Sequence, residues 1–170
     1  NLLCDMDPFL VGGGMNVTFD KNITAEFLNP PVKFEAGTLN LAGILGFRAA
    51  VEFLESIGID NIHKHDQELF DYAISKLEKL ENITIYNKEA RGGVITFNVK
   101  NVFAQDEATL LNHKGIAVRS GQHCAKMLPE YLGVPGTCRM STYLYTTKEE
   151  IDALIEALKD GGDILDAYFD

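Results

Sequence analysis

The segment Arg119-Ser120-Gly121-Gln122-His123-Cys124-Ala125-Lys126 gathers one thiol, one imidazole and two permanent cations within a single short stretch. The thiolate, rather than the thiol, is the nucleophile, and nearby positive charge or hydrogen-bond donors lower a cysteine pKa. Cys124 is therefore a candidate for nucleophilic or sulfur-transfer chemistry, with Arg119, His123 and Lys126 as the groups that would favour its anion. Gly121 before it and Gly133, Pro135 and Gly136 after it put the cysteine in a loop, which suits a side chain that must be exposed or must travel. The pattern alone leaves a second reading open, an inert half-buried thiol beside an incidental charge cluster.

Arg139 stands between Cys138 and Met140 at the start of an apolar stretch, where a guanidinium needs an anionic partner or exposure. Its planar fork suits a ligand carboxylate, and a salt bridge to one of the chain's 25 acidic residues is the competing reading. Cys138 reads as packing rather than chemistry. Gly37-Thr38 precede a helix and offer backbone N–H groups and a hydroxyl to a phosphate, or else Thr38 or Asn40 caps that helix. His63 and His65 read as solvated, and His113 as a positive charge at a helix end.

The elements that must position these residues begin after residue 36. Leu41, Ile44, Leu45, Arg48, Val51 and Leu54 keep a helical period that Gly58 ends. Asp60 is expected to cap a second helix with Ile62, Leu69, Ala73, Leu77 and Leu80 as its buried stripe. Ile83 to Tyr86 and Val94 to Val99 read as paired strands. A short helix from Asp106 closes at His113-Lys114-Gly115, and Ile116 to Arg119 and Arg139 to Tyr145 read as further strands. Thr147-Lys148-Glu149-Glu150 is a capping box opening a helix with Ile151, Leu154, Ile155 and Leu158 inside. This order predicts an α+β fold, a small mixed or antiparallel sheet with helices packed mainly on one face. Residues 1–36, broken by Pro8, Gly12 to Gly14 and Pro30-Pro31, read as connector or periphery, and 37–170 as the domain carrying the cysteine loop.

With 170 residues, 46% of them hydrophobic, one sizeable core is affordable, and a formal charge of −10 argues against nucleic-acid or anionic-membrane partners. Three cysteines without a C-x-x-C pair make neither a disulfide framework nor a zinc site, so no metal is expected and a reducing cytoplasm fits.

Four stretches, PFLVGGGM (8 to 15), FEAGTLNLAGILGFRAAVEFLESIGIDNI (34 to 62), GIAVRSGQHCA (115 to 125) and VPGTCRMSTYLYTTKEEIDALIEAL (134 to 158), carry a resemblance to a known family. Over nearly the whole chain the sequence resembles the carboxyl-terminal part of group II, Suf-type cysteine desulfurases and selenocysteine lyases, within the class V aminotransferase-like pyridoxal phosphate enzymes. The R-x-G-x-H-C-A signature distinguishes this group from the serine-rich cysteine loop of group I.

The resemblance implies the small domain of a fold-type I enzyme, preceded by the tail of a large domain. It also implies a homodimer in the intact protein, with L-cysteine or L-selenocysteine as substrate and a Suf-type sulfur acceptor as partner. Cys124 would take the sulfur as a persulfide, leaving alanine, and feed iron-sulfur cluster assembly or another acceptor. Arg139 would bind the substrate carboxylate, Arg119 and His123 would line the same site, and Gly37 and Thr38 would reach the cofactor phosphate of the other subunit. The family's cofactor lysine has no match here, since His63-Lys64 and His113-Lys114 lie in predicted helices. The chain therefore reads as the second half of an enzyme, inactive alone. A stand-alone persulfide carrier and a dimer-contact domain without chemistry are the alternatives.

Overall fold

The computed structural model describes residues 2–19, 21–22 and 25–160, in two compact units, 1–56 and 57–170. The expected boundary at residue 36 falls inside the first of these.

In the first unit, a short α1 (Leu2–Asp5) precedes an antiparallel hairpin of β1 (Asn16–Phe19) and β2 (Ala25–Phe27). These elements are short, in a segment broken by Pro8, Gly12 to Gly14 and Pro30-Pro31. The anchor of the hairpin is Met15, fully buried, whose carbonyl accepts from Leu28 N at 2.9 Å and whose sulfur accepts from Gly12 N at 3.0 Å. A 3-10 turn (Val32–Phe34) leads to α2 (Leu41–Ile57), whose N-terminus is capped by Asn40, Oδ1 accepting from Gly43 N at 3.0 Å. The periodic stripe of α2 forms the helix as expected, yet no residue of α2 is buried.

The second unit contains α3 (Ile59–Leu77), β3 (Ile83–Ile85), β4 (Val94–Val99), α4 (Ala104–His113), β5 (Arg119–Gly121), α5 (Met127–Leu132), β6 (Thr137–Ser141) and α6 (Lys148–Asp160). Its sheet runs β3-β4-β6-β5 with every pair antiparallel. Side chains alternate across a strand. Ile95 and Phe97 of β4 and Cys138 and Met140 of β6 therefore face one way, buried against Leu69, Phe70, Ala73 and Leu77 of α3, Leu111 of α4, and Ile151, Leu154, Ile155 and Leu158 of α6. Each such side chain contributes roughly 1.5–3 kcal/mol by leaving water. The helices cover one face of the sheet, as the α+β expectation requires, and the residues between those buried ones point to the opposite face.

Several boundaries differ from the sequence reading. α3 starts after Gly58 rather than at an Asp60 cap, and Asn61 Nδ2 donates back to Ile57 O at 2.8 Å. α4 starts at Ala104, two positions before Asp106. Ile116 and Val118, read as strand, pack on the core instead, the ladder is made by Arg119–Gly121, and β6 ends at Ser141 rather than Tyr145. His65 is half-buried, with Nε2 3.1 Å from Thr146 O, so only His63 is the solvated histidine that was expected of both. The capping box of α6 forms as read, Thr147 N donating to Glu150 Oε2 at 2.9 Å and Glu150 N to Thr147 Oγ1 at 3.3 Å.

Candidate active site

The sheet face turned away from the helices carries the charged residues. Register sets Thr96 opposite Arg139, Arg139 opposite Arg119, and Thr137 opposite Gly121, all on that face. Two arginines directly opposite on neighbouring strands repel unless an anion lies between or beside them. Among the described residues neither makes an ion pair with a carboxylate, so the salt-bridge reading of Arg139 is not realised. The Nε of Arg139 is buried without a hydrogen-bond partner. A guanidinium donor without a partner is able to hold a carboxylate or another small oxyanion.

Between β5 and β6 the chain arches over this face. Ala125 N donates to Gln122 O at 2.9 Å, closing a tight turn whose two central residues, His123 and Cys124, have φ of 54° and 58°. Turns with positive φ at both centres are the province of Gly, Asn and Asp, and other residues there cost roughly 1–3 kcal/mol each. The turn is held from below, where His123 Nε2 lies 2.9 Å from Thr137 O and 3.0 Å from Thr137 Oγ1. Burial, followed by the charge of Arg139, lowers the His123 pKa below its ordinary range, and the Arg119 charge adds to this while the Thr137 bond opposes it.

Cys124 is exposed at the corner of this turn rather than half-buried. Its neighbour in the loop, α5, exposes Met127 and Tyr131. The stem of the loop is tight. A Cβ on Gly136 would sit 3.2 Å from the Gly121 carbonyl carbon, Cα and oxygen, so the two ends of the excursion meet as bare backbone.

Beneath the arch lies a partly open cavity of about 140 Å³ lined by Thr96, His123, Ala125, Leu128, Leu132 and Arg139. A larger cleft of about 320 Å³ runs past Tyr86, Asn98, Lys100, Phe103 and Pro135, and its walls include none of Arg119, His123, Cys124 and Arg139. The smaller cavity is the one that His123 and Arg139 line. The structure brings Arg119, His123 and Arg139 onto one face with Cys124 on the loop above, while Gly37 and Thr38 belong to the first unit. Sequence reasoning missed Thr137, the anchor of His123, and α5, whose MLPEYL carries a proline that reads as loop.

Residues 1–154 match the family described as Aminotransferase class-V. A probable cysteine desulfurase of Halalkalibacterium halodurans is 46% identical over 154 residues, covering 91% of this chain and 38% of that protein. The crystal structure of the cysteine desulfurase CsdA from Escherichia coli superposes with a TM-score of 0.85 at 34% identity, over 97% of this chain and 40% of that one. The cysteine desulfurase from Thermococcus onnurineus gives a TM-score of 0.83 at 33% identity, over 90% of this chain and 38% of that one. The chain thus spans well under half the length of the proteins it is similar to.

Proposed function

The chain belongs to the aminotransferase class-V family, and from that premise we propose that it forms the sulfur-accepting side of a pyridoxal phosphate-dependent cysteine desulfurase of the Suf type. The observation that carries the reading is Cys124, exposed on a strained turn above a sheet face where Arg119 and Arg139 have no carboxylate of their own.

In this reading Arg139 binds the carboxylate of L-cysteine or L-selenocysteine, and Arg119 and His123 line the same site. The Cys124 thiolate attacks the substrate's sulfur, so an S–S bond forms while the C–S bond breaks. The electron pair left on carbon takes a proton and alanine departs. Pyridoxal phosphate supplies the electron sink for that pair when bound. Only its phosphate end finds candidates here. The hydroxyl of exposed Thr38 is uncommitted among the described residues, whereas Gly37 N already donates to Gly13 O at 3.0 Å, so Gly37 would serve through its backbone shape. Gly37 and Thr38 would act across the interface of a homodimer. The persulfide on exposed Cys124 then passes to an acceptor protein for iron-sulfur cluster assembly, in the cytoplasm. The chain by itself turns over no substrate, because the cofactor's lysine lies outside it.

The test is the whole protein with L-cysteine and pyridoxal phosphate, assayed for alanine and, by intact mass, for one added sulfur. Cys124→Ser is expected to abolish the sulfur adduct, and Arg139→Lys to raise KM at least tenfold, roughly the loss of one charge-assisted bidentate contact. A sulfur adduct that persists in Cys124→Ser sinks the proposal.

A further inference from the structure

The ladder between β4 and β6 runs as far as Phe97, opposite Cys138. At the next residue a side chain takes over. Asn98 Oδ1 accepts from Cys138 N at 3.2 Å, and Nδ2 donates to Gly136 O at 3.0 Å and to the Tyr86 hydroxyl at 3.2 Å. The two backbone partners settle which end of the carboxamide is which, since an N–H only donates and a carbonyl only accepts. The carboxamide therefore straddles Thr137 and ties down the main chain on both sides of it. Thr137 is in turn the residue on which His123 rests, with Nε2 2.9 Å from its O and 3.0 Å from its Oγ1. Positive φ at two adjacent non-glycine residues, His123 and Cys124, persists only where the surrounding structure over-determines it. An acceptor can impose that conformation only if it is itself held still.

We propose that Asn98 is a positioning residue for Cys124: by fixing the backbone around Thr137 it fixes the acceptor of His123, and through His123 the left-handed turn that presents the thiol. This deepens the desulfurase reading and rests on it. β4 contributes Val94 and Thr96 to the cavity that His123 and Arg139 line, and Asn98 lies outside it. Its effect therefore falls on the step in which Cys124 takes the sulfur, not on capture of the substrate's carboxylate.

The test uses the whole protein, with kcat and KM for L-cysteine taken from alanine formation. In parallel, ¹³C-labelled cysteine residues report the backbone conformation of Cys124 through its Cα and Cβ shifts. Asn98→Ala should lower kcat about fivefold, the worth of one neutral hydrogen bond, leave KM unchanged, and move the Cys124 shifts away from left-handed values. Adding Asn98→Ala to His123→Ala should lower kcat no further, because both act through one bond. Losses that multiply in the double variant overturn the assignment, as do unmoved Cys124 shifts. A KM that rises at constant kcat, the mark of a displaced Arg139, overturns it too. Asn98→Asp keeps the shape and the acceptor for Cys138 N but offers Gly136 O no donor when ionised. It takes the place of the alanine variant if that one does not fold, with the same outcomes expected. A wild type that forms no alanine sinks the desulfurase reading, and the Cys124 shifts then decide the positioning role by themselves.

Discussion

Cys124 and Cys138 carry the same thiol into opposite surroundings. Cys138 is fully buried, its Sγ donates to Ala104 O at 3.1 Å, and burial with the nearby Glu107 carboxylate pushes its pKa up to about 12. It is packing, as its place in the sequence implied. Brief alkylation of the native chain is therefore expected to modify Cys4 and Cys124 and spare Cys138 until denaturant is added, which peptide mapping reads directly. Glu107 itself is 7% exposed, and burial raises its pKa against the opposing charge of Lys114. A carboxyl raised in the folded state favours folding while protonated, below its ordinary range, and that contribution is lost as pH rises through the folded value. Glu107→Gln should accordingly stabilise the chain against urea at about pH 8 and do little at about pH 3, where the wild-type carboxyl is protonated in both states. An equal effect at the two pH values would contradict this linkage.

The elements divide by how local their signals are. The capping box of α6 and its stripe of Ile151, Leu154, Ile155 and Leu158 are read within one helical period, and both stand in the structure as read. Thr147→Ala removes the Oγ1 acceptor of Glu150 N and should cost about 1 kcal/mol in equilibrium unfolding. The cysteine turn is the contrary case. Nothing in Gln122-His123-Cys124-Ala125 signals positive φ, because Gly and Asn are absent, and the conformation is held by Thr137, more than a dozen residues downstream. β5 was displaced for a related reason. Ile116 and Val118 carry the apolar pattern that marks a strand, but they satisfy it by packing on the core, while Arg119-Ser120-Gly121 enter the ladder through backbone alone. Arg139 and Cys124 were legible as residue types that need partners. That Arg119 and Arg139 are cross-strand neighbours was not, since register is a tertiary property.

For the molecule as a whole, the telling feature is α2, which carries Leu45 at 65% and Phe47 at 73% exposure and buries none of its residues. A contiguous apolar helix face left in water marks an interaction surface. The chain alone is expected to self-associate through it in sedimentation velocity, with Phe47→Asp shifting the distribution toward monomer. A concentration-independent monomer would refute this. The meeting of Gly121 and Gly136 has a consequence of a different kind. Because the excursion between them leaves and rejoins the sheet at one point, it is a clasped ornament whose length is decoupled from strand register. Each doubling of such a loop costs only about 0.6 kcal/mol in closure entropy. Residues added to the exposed part of the loop can thus leave the pairing of Arg119 with Arg139 in place, provided His123 keeps its bond to Thr137.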